Sequence, residues 1–161
     1  MTAKADVLRS LDHSWSELRG VVDSLSEKEM LEPGVVKEWS VKDLLGHIAF
    51  WANRASNTLT EVAANRGDQV PGTESQAETD EWNAREAAAR KDKTLPELRQ
   101  EFLHAHEAAR VALEQFPEEK LDESFKERTV VFSFGGDTFA HYQEHASQIR
   151  SWLRETETTE E

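Results

Sequence analysis

The chain has 161 residues, no cysteine, 37% hydrophobic and 32% charged residues, and a formal net charge of -13 with a pI near 4.9. That length suits one domain around one core, and the lack of cysteine excludes disulfides, a thiolate nucleophile and a thiolate-ligated zinc. So acidic a surface repels phosphate backbones and anionic headgroups, so neither nucleic acid nor membrane is expected as a partner.

The N-terminal "MTAKADVLRSLDHSW" is polar and lacks the apolar run of a signal peptide. From about Ala3 to Leu25, the residues Val7, Leu8, Leu11, Trp15, Leu18, Val22 and Leu25 recur at spacings of three and four, which predicts a first amphipathic helix. "LEPGVV" breaks it. A second helix starts at "WSVKD", where Ser40 and Asp43 make a capping box. Val41, Leu44, Leu45, Ile48, Trp51, Ala52, Ala55, Leu59 and Val62 carry its period to about Asn65.

The charged stretch "ESQAETDEWNAREAAARKDK" reads as an exposed crossover containing a short helix, with Trp82 as its main large apolar residue. "TLPE" opens a third helix: Thr94 caps, Pro96 sits in the first turn where its missing N–H costs nothing, and Glu97 closes the box. That helix runs to "FPEEK". The segment "SFKERTVVFSFGGD" has strand-like residues without a clear partner and reads as an extended loop. Asp137 is expected to cap a fourth helix, "TFAHYQEHASQIRSWLRE", and the acidic end is expected to fray. The pattern predicts an all-α four-helix bundle with a long crossover between helices two and three. It occupies residues 1–154 as one domain, followed by a disordered tail over 155–161.

Within "HYQEH" (141–145), His141 and His145 lie one turn apart on the same side of the fourth helix, at the edge of its apolar stripe. Two such imidazoles can converge on one ion at bonds of about 2.0–2.1 Å. A third ligand must come from elsewhere. His47 stands among Leu44, Phe50 and Trp51 on the second helix, where a buried ring needs a partner: a metal ion, or an ordinary carbonyl or carboxylate. His13, His104 and His106 read as solvent-side residues. The inverted-zincin pattern H-x-x-E-H also fits, but it wants a downstream carboxylate ligand, and only 16 residues follow His145.

"WSVKDLLGHIAFW" (39–51) followed by "DTFAHYQEHASQI" (137–149) resembles the DinB/YfiT-like superfamily, a four-helix-bundle group of metal-dependent enzymes, over nearly the whole chain. The resemblance implies that His47, His141 and His145 occupy three metal-ligand positions for zinc, nickel or a similar divalent ion. It implies relatives such as thiol S-transferases using bacillithiol or glutathione and a mycothiol-dependent maleylpyruvate isomerase, and it suggests a homodimer. "EWN" at 81–83 is similar to a subgroup around a genotoxin self-resistance protein, a cyclopropane hydrolase without the histidine trio.

Three neutral imidazoles leave an ion its charge and open positions, the layout of a catalytic site. The expected function is therefore activation of a low-molecular-weight thiol or water toward a small-molecule electrophile, in the cytoplasm. Tyr142 is the candidate catalytic hydroxyl, and Trp39, Trp51, Arg54 and Trp152 are candidate pocket residues. Asp43 and Asp137, one turn before ligands, are explained by helix capping, with an outer-shell role as the alternative. The competing readings are a resistance or sequestration protein that binds small molecules without catalysis, and a helical dimerisation module.

Overall fold

In a computed structural model the described residues are 1–159, and the chain is all-α apart from one short hairpin. The helices are α1 (Lys4–Asp23), α2 (Glu27–Leu31), α3 (Val41–Ala63), α4 (Gln76–Ala89), α5 (Leu95–Gln115), α6 (Val130–Asp137) and α7 (Phe139–Thr159). β1 (Ser124–Phe125) and β2 (Arg128–Thr129) form the antiparallel hairpin.

Helix starts follow local chemistry. The Ser40 side chain accepts the Asp43 N–H at 3.2 Å, and the Asp43 carboxylate accepts the Ser40 N–H at 2.9 Å. Thr94 and Glu97 make the same reciprocal box at α5, with Pro96 in the first turn, and Ser26 and Glu29 make it at α2. Each box satisfies two N–H groups that a helix start otherwise leaves unpaired.

Packing follows the apolar stripes. α1 lies on α7, α3 on α5, and the contacts of α1 with α5 and α3 with α7 close the circuit of the four long helices. Leu11, Leu18, Leu44, Leu45, Ile48, Leu98, Phe102, Tyr142 and Ile149 are at most 1% exposed at its centre. The crossover between α3 and α5 contains α4, which buries none of its residues fully. Its C-terminal end is held by Arg90, whose guanidinium donates to Glu86 and Glu101. The stem of Arg90 crosses α3 at Gly46, where a Cβ would come within 2.7 Å of Arg90 Cδ. Glycine permits that close approach.

Four expectations are corrected. The supposed extended loop over 124–137 is the hairpin followed by α6. Thr129 accepts the Phe132 N–H at 3.2 Å, and Val130 and Phe134, one turn apart, are fully buried, so packing overrides the β-favouring composition. Asp137 does not cap α7; it ends α6 as a buried residue, and the backbone carbonyl of Thr138 accepts the Tyr142 N–H, in the first turn of α7, at 2.8 Å. α7 continues through Thr159, so 155–159 are helical rather than a tail, and 160–161 lie outside the described residues. His106 is 4% exposed, not on the solvent side. It lies four residues after Phe102 and three before Ala109, inside the buried row of α5.

Candidate metal centre

The capping box fixes where α3 begins and therefore which way its side chains face. His47, Trp51 and Arg54 then follow at i, i+4 and i+7 along one side. Asp137, His141 and His145 follow at four-residue steps from the end of α6 into α7. The rows meet twice, His47 against His141 and Arg54 against Asp137. Advancing along α3 is matched by retreating from α7 to the end of α6, so the two stretches of chain run in opposite directions here.

One ring nitrogen from each of His47, His141 and His145 lies within 4.8 Å of the other two. His141 Nε2 is 2.9 Å from His47 Nε2 and 2.7 Å from His145 Nε2. A ring nitrogen has a single in-plane direction, carrying either one proton or one lone pair. His141 Nε2 can therefore form a good hydrogen bond with only one of these neighbours. No placement of protons on the three rings gives both contacts a good hydrogen bond, and three convergent imidazole nitrogens are a donor set that a divalent ion can take.

Burial keeps the rings neutral. His47 is pushed down to about 3, first by desolvation and then by the charge of His145. His141 is held well below the ordinary histidine value by burial and by His145 and His47. His145 is lowered by burial, against opposing effects of Gln148 and Glu144. Neutral imidazoles with lone pairs are what a divalent ion requires. Two outer atoms differ: His145 Nδ1 lies 2.7 Å from Gln148 Oε1, while His141 Nδ1 is buried without a partner among the described residues.

Two turns along α3 from His47 and one turn before His141, Arg54 Nη1 donates to Asp137 Oδ2 at 2.7 Å, with the side chains 15% and 13% exposed. Burial raises Asp137 to about 6, and Arg54 pulls the other way. This pair and Trp51 line a cleft of about 1000 Å³ whose far wall is Phe125, Lys126 and Arg128 of the hairpin together with Phe132 of α6. No histidine of the trio lines it; the cleft lies beside the trio, one turn away on each helix. Trp51 Nε1 donates to Asn83 Oδ1 at 2.8 Å, and the Trp51 ring stacks on Trp82 at 6.1 Å. The "EWN" segment thus fastens α4 to the face that carries His47.

Of the other candidates, Trp39 lies near the trio, its ring centroid 5.0 Å from that of His47. Trp51 and Arg54 line the cleft. Trp152 is buried at 7% exposure and does not line it. Tyr142, expected as a catalytic hydroxyl, is fully buried and hydrogen-bonded at 3.0 Å to His106 Nδ1, with His106 stacked on Trp15 at 3.8 Å. It stands 100° round the helix from His141, and burial raises its hydroxyl far above the ordinary tyrosine value. Asp43 is used by its capping box. Sequence reasoning gave Gln148 no role, although its place three residues after His145 in the same row was the signal.

A helical protein that gathers three imidazoles from two helices is defined by this fold and site as one with a candidate three-histidine metal centre. The model of the mycothiol maleylpyruvate isomerase N-terminal domain matches residues 11–156. The chain belongs to that family, within the DinB/YfiT-like helical superfamily. No curated protein matches its sequence. Among solved structures it is similar to an uncharacterised protein of Escherichia coli UTI89, at 14% identity, covering 98% of this chain and 96% of the other with a TM-score of 0.81. It is also similar to the colibactin self-resistance protein ClbS in complex with double-stranded DNA, at 14% identity, 94% and 95% coverage and a TM-score of 0.80. A third likeness is to the sibling lethal factor precursor DfsB, at 13% identity, 97% and 98% coverage and a TM-score of 0.78.

At these identities the likenesses show the fold. The ClbS complex overturns one expectation: a protein of this fold has been solved with DNA, so the exclusion of nucleic acid as a partner is withdrawn. Net charge was an insufficient argument, because local field at a surface can differ in sign from the total. No helix among the described residues is long and apolar enough to cross a membrane.

Proposed function

We propose that the protein is a metal-dependent enzyme in which His47, His141 and His145 hold a divalent ion, zinc or nickel, and a small electrophile is attacked by an activated thiol or water. The observation that carries this reading is the pair of nitrogen contacts converging on His141 Nε2, which no arrangement of protons satisfies. Such an ion supplies Lewis acidity, lowering the pKa of a bound water or thiol toward neutrality. The chain's own residues hold the three rings neutral by burial and place them at the level of Trp39, one turn from the cleft. With no cysteine in the chain, a nucleophilic thiol would be a free cosubstrate of low molecular weight. The closed circuit of contacts among α1, α3, α5 and α7 supports a four-helix bundle as the frame.

Metal analysis of protein purified without a metal-affinity tag is the test. Near-stoichiometric metal in the wild type, lost in His47→Ala and His141→Ala, is expected, and a protein that refuses added zinc and nickel overturns the reading. Thiol conjugation of chlorodinitrobenzene then separates catalyst from binder, since a metal-dependent rate is expected only of the catalyst. A second reading, a binding or resistance protein without catalysis, is favoured by one feature: the large cleft lies beside the trio rather than on it.

A further inference from the structure

We propose that Gln148 is the positioning residue of the centre: its side-chain oxygen holds His145 in the tautomer whose Nε2 lone pair faces His47 and His141. The inference rests on the metal reading above. His145 Nδ1 and Gln148 Oε1 are 2.7 Å apart, three residues from each other on α7. An amide oxygen only accepts, so Nδ1 must carry the proton and donate it. Nε2 is then the lone pair, and it is the atom 2.7 Å from His141 Nε2. With the Gln148 amide turned over, its NH2 would donate to Nδ1, the proton would move to Nε2, and that proton would point into the centre.

The arrangement is asymmetric within the pair. His141 Nδ1 is also buried but has no partner among the described residues, so no outer contact at that atom selects its tautomer. His145 is the ligand oriented in advance, and His141 takes its tautomer from what it binds. Gln148 suits the task because it is half-buried on a rigid helix, where little water competes for Nδ1. Glu144, the neighbouring carboxylate, is exposed. An outer partner of this kind is worth about 10- to 100-fold in metal affinity in known sites.

The test uses nitrogen-15 NMR of the imidazoles in metal-free protein together with zinc affinity by chelator competition. Wild type is expected to show His145 protonated at Nδ1. Gln148→Leu and Gln148→Ala are expected to lose that preference and bind zinc about 10- to 100-fold more weakly. Gln148→Glu, which keeps an acceptor oxygen, is expected to retain both the tautomer and the affinity; this rescue separates positioning from mere packing. A wild type protonated at Nε2 overturns the proposal, as does a Gln148→Leu protein with unchanged tautomer and affinity. A wild type that takes up no zinc fails the metal reading alone, because the tautomer is read without metal and still decides what Gln148 does.

Discussion

His106 makes stability depend on pH in a direction that the structure determines. Burial pushes its pKa down to about 4 from an ordinary 6.5, so between those values the unfolded chain binds a proton that the folded chain refuses. Stability is full above 6.5 and falls as pH drops through the window. Between pH 7.5 and 4.5 the loss from this one ring is about 2.5 kcal/mol. Asp137 works in the opposite direction, because its pKa is raised to about 6 and the folded state gains stability as pH falls below that. A single pH titration of the wild type therefore mixes the two. His106→Phe keeps a flat ring against Trp15 but cannot titrate, so comparison of the variant with wild type cancels Asp137. Urea unfolding of metal-free protein followed by circular dichroism should show the variant less stable by about 1–3 kcal/mol at pH 7.5, because Tyr142 loses its partner. The deficit should shrink or reverse by pH 4.5. A gap that stays constant from pH 7.5 to 4.5 would refute the assignment of His106 as a buried neutral ring.

Arg54→Met should cost about 3–5 kcal/mol at pH 8 by stranding the Asp137 carboxylate, with a smaller loss below pH 6. Arg54→Met combined with Asp137→Leu should recover most of it in thermal melts. Tyr142→Phe should lower stability by about 1–3 kcal/mol while leaving metal content and any thiol-transfer rate unchanged, because the hydroxyl serves His106. Ser40→Ala should cost about 1 kcal/mol in urea unfolding by removing the side-chain acceptor that starts α3.

The long helices were legible because their signals are local. Ser40 with Asp43, and Thr94 with Glu97, announce helix starts whatever packs around them, and the spacing of Leu44, Ile48, Ala52 and Ala55 marks the face to be buried. His106 was misread because a histidine counts as polar in such a pattern, although it occupies a buried position in the row of Phe102 and Ala109. α6 was missed for a related reason. "TVVFSF" favours a strand residue by residue, and only the burial of Val130 and Phe134 together makes it helical.

The trio divides between the two levels. Spacing alone put His141 and His145 on one side of a helix, since four residues are one turn of any α-helix. No local rule could bring His47 to within 2.9 Å of His141, because a sequence separation of 94 leaves that distance free. The approach of α3 to α7 set it, and the approach of α3 to the end of α6 set Arg54 against Asp137. The chemistry of each histidine was thus written in the chain, as was the cap that starts α3. Burial decided which rings are neutral, which hydroxyl is committed to the core and which amide selects a tautomer, because desolvation and contact exist only after the helices have met.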